Sequence, residues 1–321
     1  SYGYTEIPVT EFKNSTQGGY SAEMKLEAQT GIFCRGLGYN EIITYSFTSP
    51  SAFDQIRLPK DSPLRNCLRI QNPLGEDTSV MRTIALPSMM DILARNSAYH
   101  NKAAKFYEIA KVYLPTEGQV LPQEPKKLLL GTYGAGETFF TLKGEIEAIL
   151  KGLRVLPVEY TAEKSNPSYH PGRCAVLSID GENVGVMGQV HPLVVKNYGM
   201  DCEVYCAELN LSRLMQLRLP DPTYTPLPKY PAVTRDLALV CDEDVTVAQA
   251  EKVIAAAAGK LLRDVRLFDI YRGTGVPTGK KSMAFSLELR SDERTLTDSD
   301  SEGVMNKVLS ALKNDLNAVL R

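Results

Sequence analysis

The sequence has no tryptophan, only three histidines and no cysteine pair spaced CxxC. The missing tryptophan decides nothing. His100, His170 and His191 lie far apart, none at metal-ligand spacing from a cysteine, which argues against zinc. The six cysteines (34, 67, 174, 202, 206 and 241) are scattered, and Cys202 and Cys206 have no further ligand type beside them. A chain of 321 residues buries its own core without disulfides, so reduced thiols in a cytoplasmic protein are expected. No apolar run reaches membrane-spanning length, and the N-terminus lacks the charged-then-apolar pattern of a secretion signal. Nor is charge of one sign in excess: 36 Lys and Arg against 38 Asp and Glu give a net charge of −2. That balance excludes bulk electrostatic binding to nucleic acid. Any RNA contact must then use a local patch and a fitting shape.

What is present is ordinary globular chemistry, 43% hydrophobic and 23% charged, with length for about two domains. The chain begins at Ser1 without methionine, and residues 1–19 read as a linker or the tail of a missing upstream domain. Residues 20–218 read as one module of mixed order. Its expected helices are Ser21 to Cys34 (N-cap Ser21; apolar Met24, Ala28, Ile32), a helix opening at Leu86-Pro87, and Leu142 to Leu153. The expected strands are Glu41 to Thr48 (Ile43, Tyr45 and Phe47 on one face), Leu64 to Ile70, Lys105 to Leu114 and Lys127 to Tyr133. Ala175 to Val190 follows as a hairpin around Asp180-Gly181-Glu182-Asn183, then a strand from Val204 to Leu211 and a short helix to Leu217. Hairpins and helices without a regular βαβ rhythm indicate an α+β module on an antiparallel sheet. Residues 219–231 hold five prolines in thirteen positions, a stiff linker and the clearest boundary in the chain.

Residues 232–321 form a tighter pattern. A strand (Asp236 to Cys241) is followed by a helix (Val247 to Gly259) and two strands within Arg263–Arg290. A second helix (Thr297 to Leu312) opens on a Thr297-x-x-Asp300 box, and Leu316 to Leu320 makes a short last strand. Strand, helix, two strands, helix, strand is the ferredoxin-like plan, with both helices on one face of the sheet. In the paired strands, Met283, Phe285, Leu287 and Leu289 share one parity, as do Ser282, Ala284, Ser286 and Glu288. If Phe268 and Ile270 join the core, Asp269 and Tyr271 stand on the open face with Ser282. An aromatic beside a carboxylate, a hydroxyl and the bases Arg272, Lys280 and Lys281 suits an unstacked nucleobase. The same residues also suit a half-exposed tyrosine on an ordinary hairpin. Six bases lie between Lys260 and Lys281 against Asp264 and Asp269, a local positive excess or plain solvated surface.

Two patterns mislead. Gly273 to Lys280 (GTGVPTGK) resembles a phosphate loop but has Thr at 274, where a glycine is needed, and leads into a strand, so no helix N-terminus faces a phosphate. Lys280 and Lys281 remain available for an RNA backbone. His170-Pro-Gly-Arg and Gly188-Gln-Val-His191-Pro read as turns at strand ends, without a nucleophile signature.

PKYPAVTRDLALV (228–240), FDIYRGTGVPTGKKS (268–282) and RTLTDSD (294–300) resemble the ferredoxin-fold anticodon-binding domain of bacterial phenylalanyl-tRNA synthetase β subunits. GLGYNEIITYSFTSP (36–50), NPLGEDTSVMRTIALPSMM (72–90), KFYEIAKVYLP (105–115), HPGRCA (170–175) and GQVHP (188–192) resemble the class II aminoacyl-tRNA synthetase-like module of that subunit, and YGYTEIP (2–8) the end of the domain before it. The resemblance covers nearly the whole chain in the family's order. It implies that Asp269, Tyr271 and Ser282 meet the first anticodon base, with Arg272 and Lys280 as phosphate contacts.

It also implies a catalytically silent first module. A working class II site holds ATP with an Arg-Glu pair in its second motif. Here the strand reads Phe106-Tyr107-Glu108 with no Arg before the Glu, and no glycine-rich GxGxxxR appears between Tyr160 and Arg218. Hence no catalytic residue and no cofactor is expected in this fragment. ATP and Mg²⁺ belong to the holoenzyme, whose α subunit joins phenylalanine to its tRNA in an (αβ)₂ heterotetramer with no membrane role. Ser21 to Phe47 and the module's helices would serve subunit contacts. Two rivals are a self-sufficient ligase, which needs ATP-binding arginines not found here, and an amino-acid-sensing regulatory protein with a ferredoxin-like domain, which favours a glycine-rich ligand loop.

Overall fold

The computed structural model describes residues 3–11, 17–155 and 157–321, which form two compact units divided between Asp221 and Pro222. Of the segment expected as a linker over 1–19, residues 1, 2 and 12–16 lie outside the described residues, and with them Tyr2 of the YGYTEIP block.

In the first unit the helices are α1 (Ala22–Gly36), α2 (Ser51–Gln55), α3 (Leu86–Ala98), α4 (Phe139–Gly152), α5 (Pro192–Asn197) and α6 (Leu211–Gln216). Its strands are β1 (Asn40–Glu41), β2 (Phe47–Thr48), β3 (Val80–Met81), β4 (Ala104–Lys111), β5 (Lys126–Tyr133), β6 (Glu159–Ala162), β7 (Tyr169–Ile179), β8 (Glu182–Val190) and β9 (Val204–Asn210). Seven of them build one sheet in the order β1-β4-β5-β9-β8-β7-β6, antiparallel except for the β1–β4 pair.

Both faces of this sheet are covered. Leu128, Leu130, Ala207 and Leu209 pack with Leu142, Ile146 and Ile149 of α4 on one side. Leu129, Val204 and Cys206 pack with Met89, Met90 and Leu93 of α3 on the other. Double coverage explains why Leu128, Leu129 and Leu130 of β5 follow one another instead of alternating with polar residues. Each large side chain fully buried this way contributes roughly 1.5–3 kcal/mol. Local signals set the ends of the elements. The Ser21 side chain accepts from the Met24 amide at 3.2 Å and starts α1, while Asp180 and Gly181 take φ of 51° and 78° and close the two-residue β7–β8 hairpin.

Two expected strands are not formed. Glu41 to Thr48 splits into β1, paired with β4, and β2, paired with β3 in a separate two-stranded sheet. Leu64 to Ile70 holds one turn of 3₁₀ helix at Pro63–Arg65 and a single bridge from Arg69 to Val80. The alternation of Ile43, Tyr45 and Phe47 therefore marks no sheet face. Ile43 and Tyr45 stand 90% and 80% exposed. On α1 the buried residues are Leu26, Thr30, Gly31 and Cys34, whereas Met24 and Ile32 face out.

The second unit comprises β10 (Val233–Asp242), α7 (Val247–Ala258), β11 (Leu262–Tyr271), β12 (Lys280–Leu289), α8 (Asp298–Leu316) and β13 (Val319–Leu320). The sheet order β11-β12-β10-β13, all antiparallel, places the fourth strand beside the first and the second at the far edge, a ferredoxin-like βαββαβ arrangement. Its core joins Leu237, Leu239, Met283, Phe285 and Leu287 to Ala250 and Ile254 of α7 and Val304, Val308 and Leu312 of α8. Both helices start on reciprocal caps, Thr246 with Gln249 and Thr297 with Asp300.

Candidate nucleic-acid interface

Alternation along β12 sends Met283, Phe285 and Leu287 under the helices and Ser282, Ala284 and Ser286 to the opposite face of the sheet. Directly paired residues share a face, so the register reads out the rest. Tyr271 pairs with Ser282 and Asp269 with Ala284, while Ala284 also faces Ala238 and Ser282 faces Val240. Asp269, Tyr271 and Ser282 thus lie on one face, away from α7 and α8. Two alanines, Ala284 and Ala238, lie side by side between β11 and β13 and leave the sheet floor low next to Asp269.

The strand does not follow its expected parity throughout. Leu267 pairs with Phe285 and Asp269 with Ala284, so Phe268 is the extra residue of a β-bulge. Leu262, Val265 and Leu267 pack against the core, whereas Phe268 lies outside the buried core and is 55% exposed. The expected place of both Phe268 and Ile270 in the core is corrected. The bulge turns Phe268 out, and Ile270, opposite Met283, keeps the core-side parity but is 37% exposed near the end of the strand and lies outside the buried core.

Tyr271 is 36% exposed, and its hydroxyl donates to the Thr274 carbonyl at 3.4 Å. The Arg321 guanidinium lies 4.9 Å from its ring centroid, carried there because the Arg321 amide donates to the Ala238 carbonyl at 3.0 Å and extends the β13 edge. No local pattern in the sequence marked Arg321. Its position follows only from the pairing of the last strand with the first. Among the described residues the Asp269 carboxylate makes no ion pair or side-chain hydrogen bond, and Ser282 is buried at the base of the face.

The cations stand differently from expectation. Arg272 donates to Glu243 through two nitrogens at 2.8 and 2.5 Å, a contact that holds the Glu243 carboxyl below its usual range. Lys280 pairs with Asp242 at 2.7 Å. Lys281 is buried and donates to the Glu243 carbonyl at 2.8 Å. Arg263 pairs with Asp292. Of the six bases, only Lys260 and Arg266 have neither an ion pair nor a side-chain hydrogen bond among the described residues. Surface pairs of this kind are weak and exchange partners readily.

In the first unit, Glu108 of the FYE strand is not free. It meets Arg82 in a buried ion pair at 3.2 Å, and the Thr44 amide and hydroxyl donate to it at 3.2 and 2.9 Å. The two histidines serve local structure: Nδ1 of His170 accepts from the Gly172 amide, and Nδ1 of His191 accepts from the Leu193 amide and caps α5. No group of three or more His, Cys, Asp or Glu that could hold a metal occurs among the described residues.

Residues 7–211 match the family described as the phenylalanyl tRNA synthetase beta chain CLM domain, and residues 228–321 match the ferredoxin-fold anticodon binding domain. The phenylalanine–tRNA ligase beta subunit of Clostridium tetani is 43% identical over 322 residues, covering 100% of this chain and 41% of that protein. That of Clostridium acetobutylicum is 42% identical over 322 residues, covering 100% and 40%. The chain thus spans about two fifths of the length of these relatives. Among solved structures, pyrrolysyl-tRNA synthetase from Desulfitobacterium hafniense superposes with a TM-score of 0.51 at 15% identity, over 61% of this chain and 68% of its own. At that identity the likeness concerns the fold.

Proposed function

The chain belongs to the phenylalanyl-tRNA synthetase β-chain family, and from that premise we propose that it is a non-catalytic part of a phenylalanine–tRNA ligase. Its first unit supports assembly and its second reads the anticodon of tRNA-Phe. The observation that carries this reading is the half-exposed Tyr271 on the helix-free face beside Asp269, whose carboxylate has no ion pair or side-chain hydrogen bond among the described residues.

The chemistry follows from the side chains. Tyr271 offers a ring on which an unstacked base gains about 1–3 kcal/mol. Asp269 accepts from the donor edge of a guanine-type base, and Ser282 donates or accepts beneath it. Arg321, a planar cation already stacked on the ring, can lie against a base as well. Arg272 and Lys280 can exchange their carboxylate partners for phosphates as the strand docks.

The first unit lacks the Arg before Glu108 that a nucleotide site of this class uses, and Glu108 itself is held by Arg82 and Thr44. ATP, Mg²⁺ and phenylalanine therefore belong to the α subunit of an (αβ)₂ enzyme working in the cytoplasm. The exposed apolar residues Met24, Ile32, Ile43 and Tyr45 offer that subunit a contact surface. No helix among the described residues is long and apolar enough to cross a membrane.

The test uses the αβ enzyme carrying Tyr271→Ala. Its kcat/KM for charging tRNA-Phe should fall about tenfold or more, while pyrophosphate exchange with ATP and phenylalanine alone stays unchanged. Charging at the wild-type rate, or an equal loss in both assays, would overturn the proposal.

A further inference from the structure

We infer that this face seats two consecutive unstacked bases and that Phe268 is the second platform, an extension that rests on the reading of Tyr271 as the first. In an unbroken strand Phe268 would fall on the face opposite Asp269 and Tyr271. The bulge changes that: Phe268 and Asp269 together oppose the single residue Ala284, and bulges are a standard means of re-aiming a side chain. Alternation from core-facing Leu267 puts Phe268 on the helix-free face, where it is 55% exposed and lies outside the unit's buried core. Phenylalanine has no polar tip to favour water, so an exposed ring beside a second exposed ring is best used as a stacking surface.

The spacing suits bases drawn out of the stack. Three residues at about 3.3 Å each put Phe268 roughly 10 Å from Tyr271 along the strand, somewhat less across a bulge. Bases stacked in a helix are about 3.4 Å apart along a strand, so only a splayed pair spans both rings. Two residues further along the same face stands Arg266, opposite Ser286 and without an ion pair among the described residues. It is placed for the phosphate beyond the second base. Along β11 the order is then ring and carboxylate for the first base, ring for the second, cation for the backbone. The ligand class is single-stranded RNA with two adjacent unpaired bases.

The experiment measures binding of tRNA-Phe to the full αβ enzyme. The variants are Phe268→Ala, Phe268→Tyr and Tyr271→Ala, with tRNA intact or abasic at the first or second anticodon position. Phe268→Ala should weaken intact tRNA by about tenfold, and Phe268→Tyr should restore binding. On tRNA abasic at the second position the Phe268→Ala loss should vanish, whereas on tRNA abasic at the first position it should persist. With wild-type enzyme, removing the second base should cost about as much as removing the ring, a comparison that stands even if a variant folds poorly. Normal binding by Phe268→Ala with impaired Tyr271→Ala overturns this inference alone. Normal binding by both overturns the reading beneath it.

Discussion

Replacing Arg82 by methionine should destabilise the first unit by about 3 kcal/mol, the lower end of the roughly 3–5 kcal/mol typical for breaking a buried ion pair. Arg82 and Glu108 are 2% and 4% exposed. The guanidinium donates through Nε to the Lys111 carbonyl at 2.8 Å and through one terminal nitrogen to Thr44 Oγ1 at 2.7 Å and Ser88 Oγ at 3.3 Å. The other terminal nitrogen meets Glu108 at 3.2 Å. Methionine fills the space but leaves a carboxylate without its counter-charge. The two donors from Thr44 soften the loss, hence the lower bound. Converting both residues to methionine should cost less than the sum of the single changes, because no buried charge is then left alone. Urea unfolding followed by far-ultraviolet circular dichroism reads both effects as midpoint shifts at constant slope. A single-variant loss below about 1 kcal/mol, or strict additivity, would refute the view of Glu108 as a locked structural carboxylate.

Three further outcomes are expected. Gly188→Ala in β8 would place a methyl 2.5 Å from the Arg173 carbonyl and 2.8 Å from Cys174 Cα, so overpacking against backbone should cost at least about 1–3 kcal/mol; an unchanged melting temperature would contradict this. The Asp300 carboxyl is held well below the usual carboxylate range by Arg294 and by the Thr297 hydroxyl and amide. Its charged form stabilises the fold at all pH above about 3.8, the unfolded value, and that stabilisation is lost as pH falls further toward the folded value. The melting-temperature gap between wild type and Asp300→Asn should therefore be constant from about pH 7 to about pH 4 and close below; a gap unchanged at about pH 2 would contradict the assignment. Glu243→Gln frees Arg272 for phosphate and should steepen the salt dependence of tRNA binding by about 0.7 in log–log slope; an unchanged slope would remove Arg272 from the interface.

Much of this fold was legible because the signals were local. Thr297 and Asp300 sit three apart and cap each other, Asp180-Gly181 demands φ above zero, and the two-residue period of β12 marks its faces without reference to any partner. Failures came where identity depends on distant chain. The alternation Ile43, Tyr45, Phe47 looks like a strand because it counts apolar side chains, but a strand also needs a neighbour to pair with, and residues 43–45 join neither the β1–β4 nor the β2–β3 ladder. The Phe268 bulge is invisible to a parity count, which assumes an unbroken ladder. The same count still put Asp269 and Tyr271 with Ser282, since those three lie on the same side of the irregularity. Arg321 over Tyr271 and Arg82 on Glu108 each join residues far apart in sequence, and no spacing rule reaches them.

The most direct measurement is photocrosslinking of tRNA-Phe, carrying a photoreactive base at the first anticodon position, to the αβ enzyme, with the attachment site mapped by mass spectrometry. The account predicts adducts on the open face, at or beside Tyr271, Asp269 and Ser282, that disappear with a tRNA of different anticodon. Adducts confined to α7 and α8, or to the first unit alone, would contradict it.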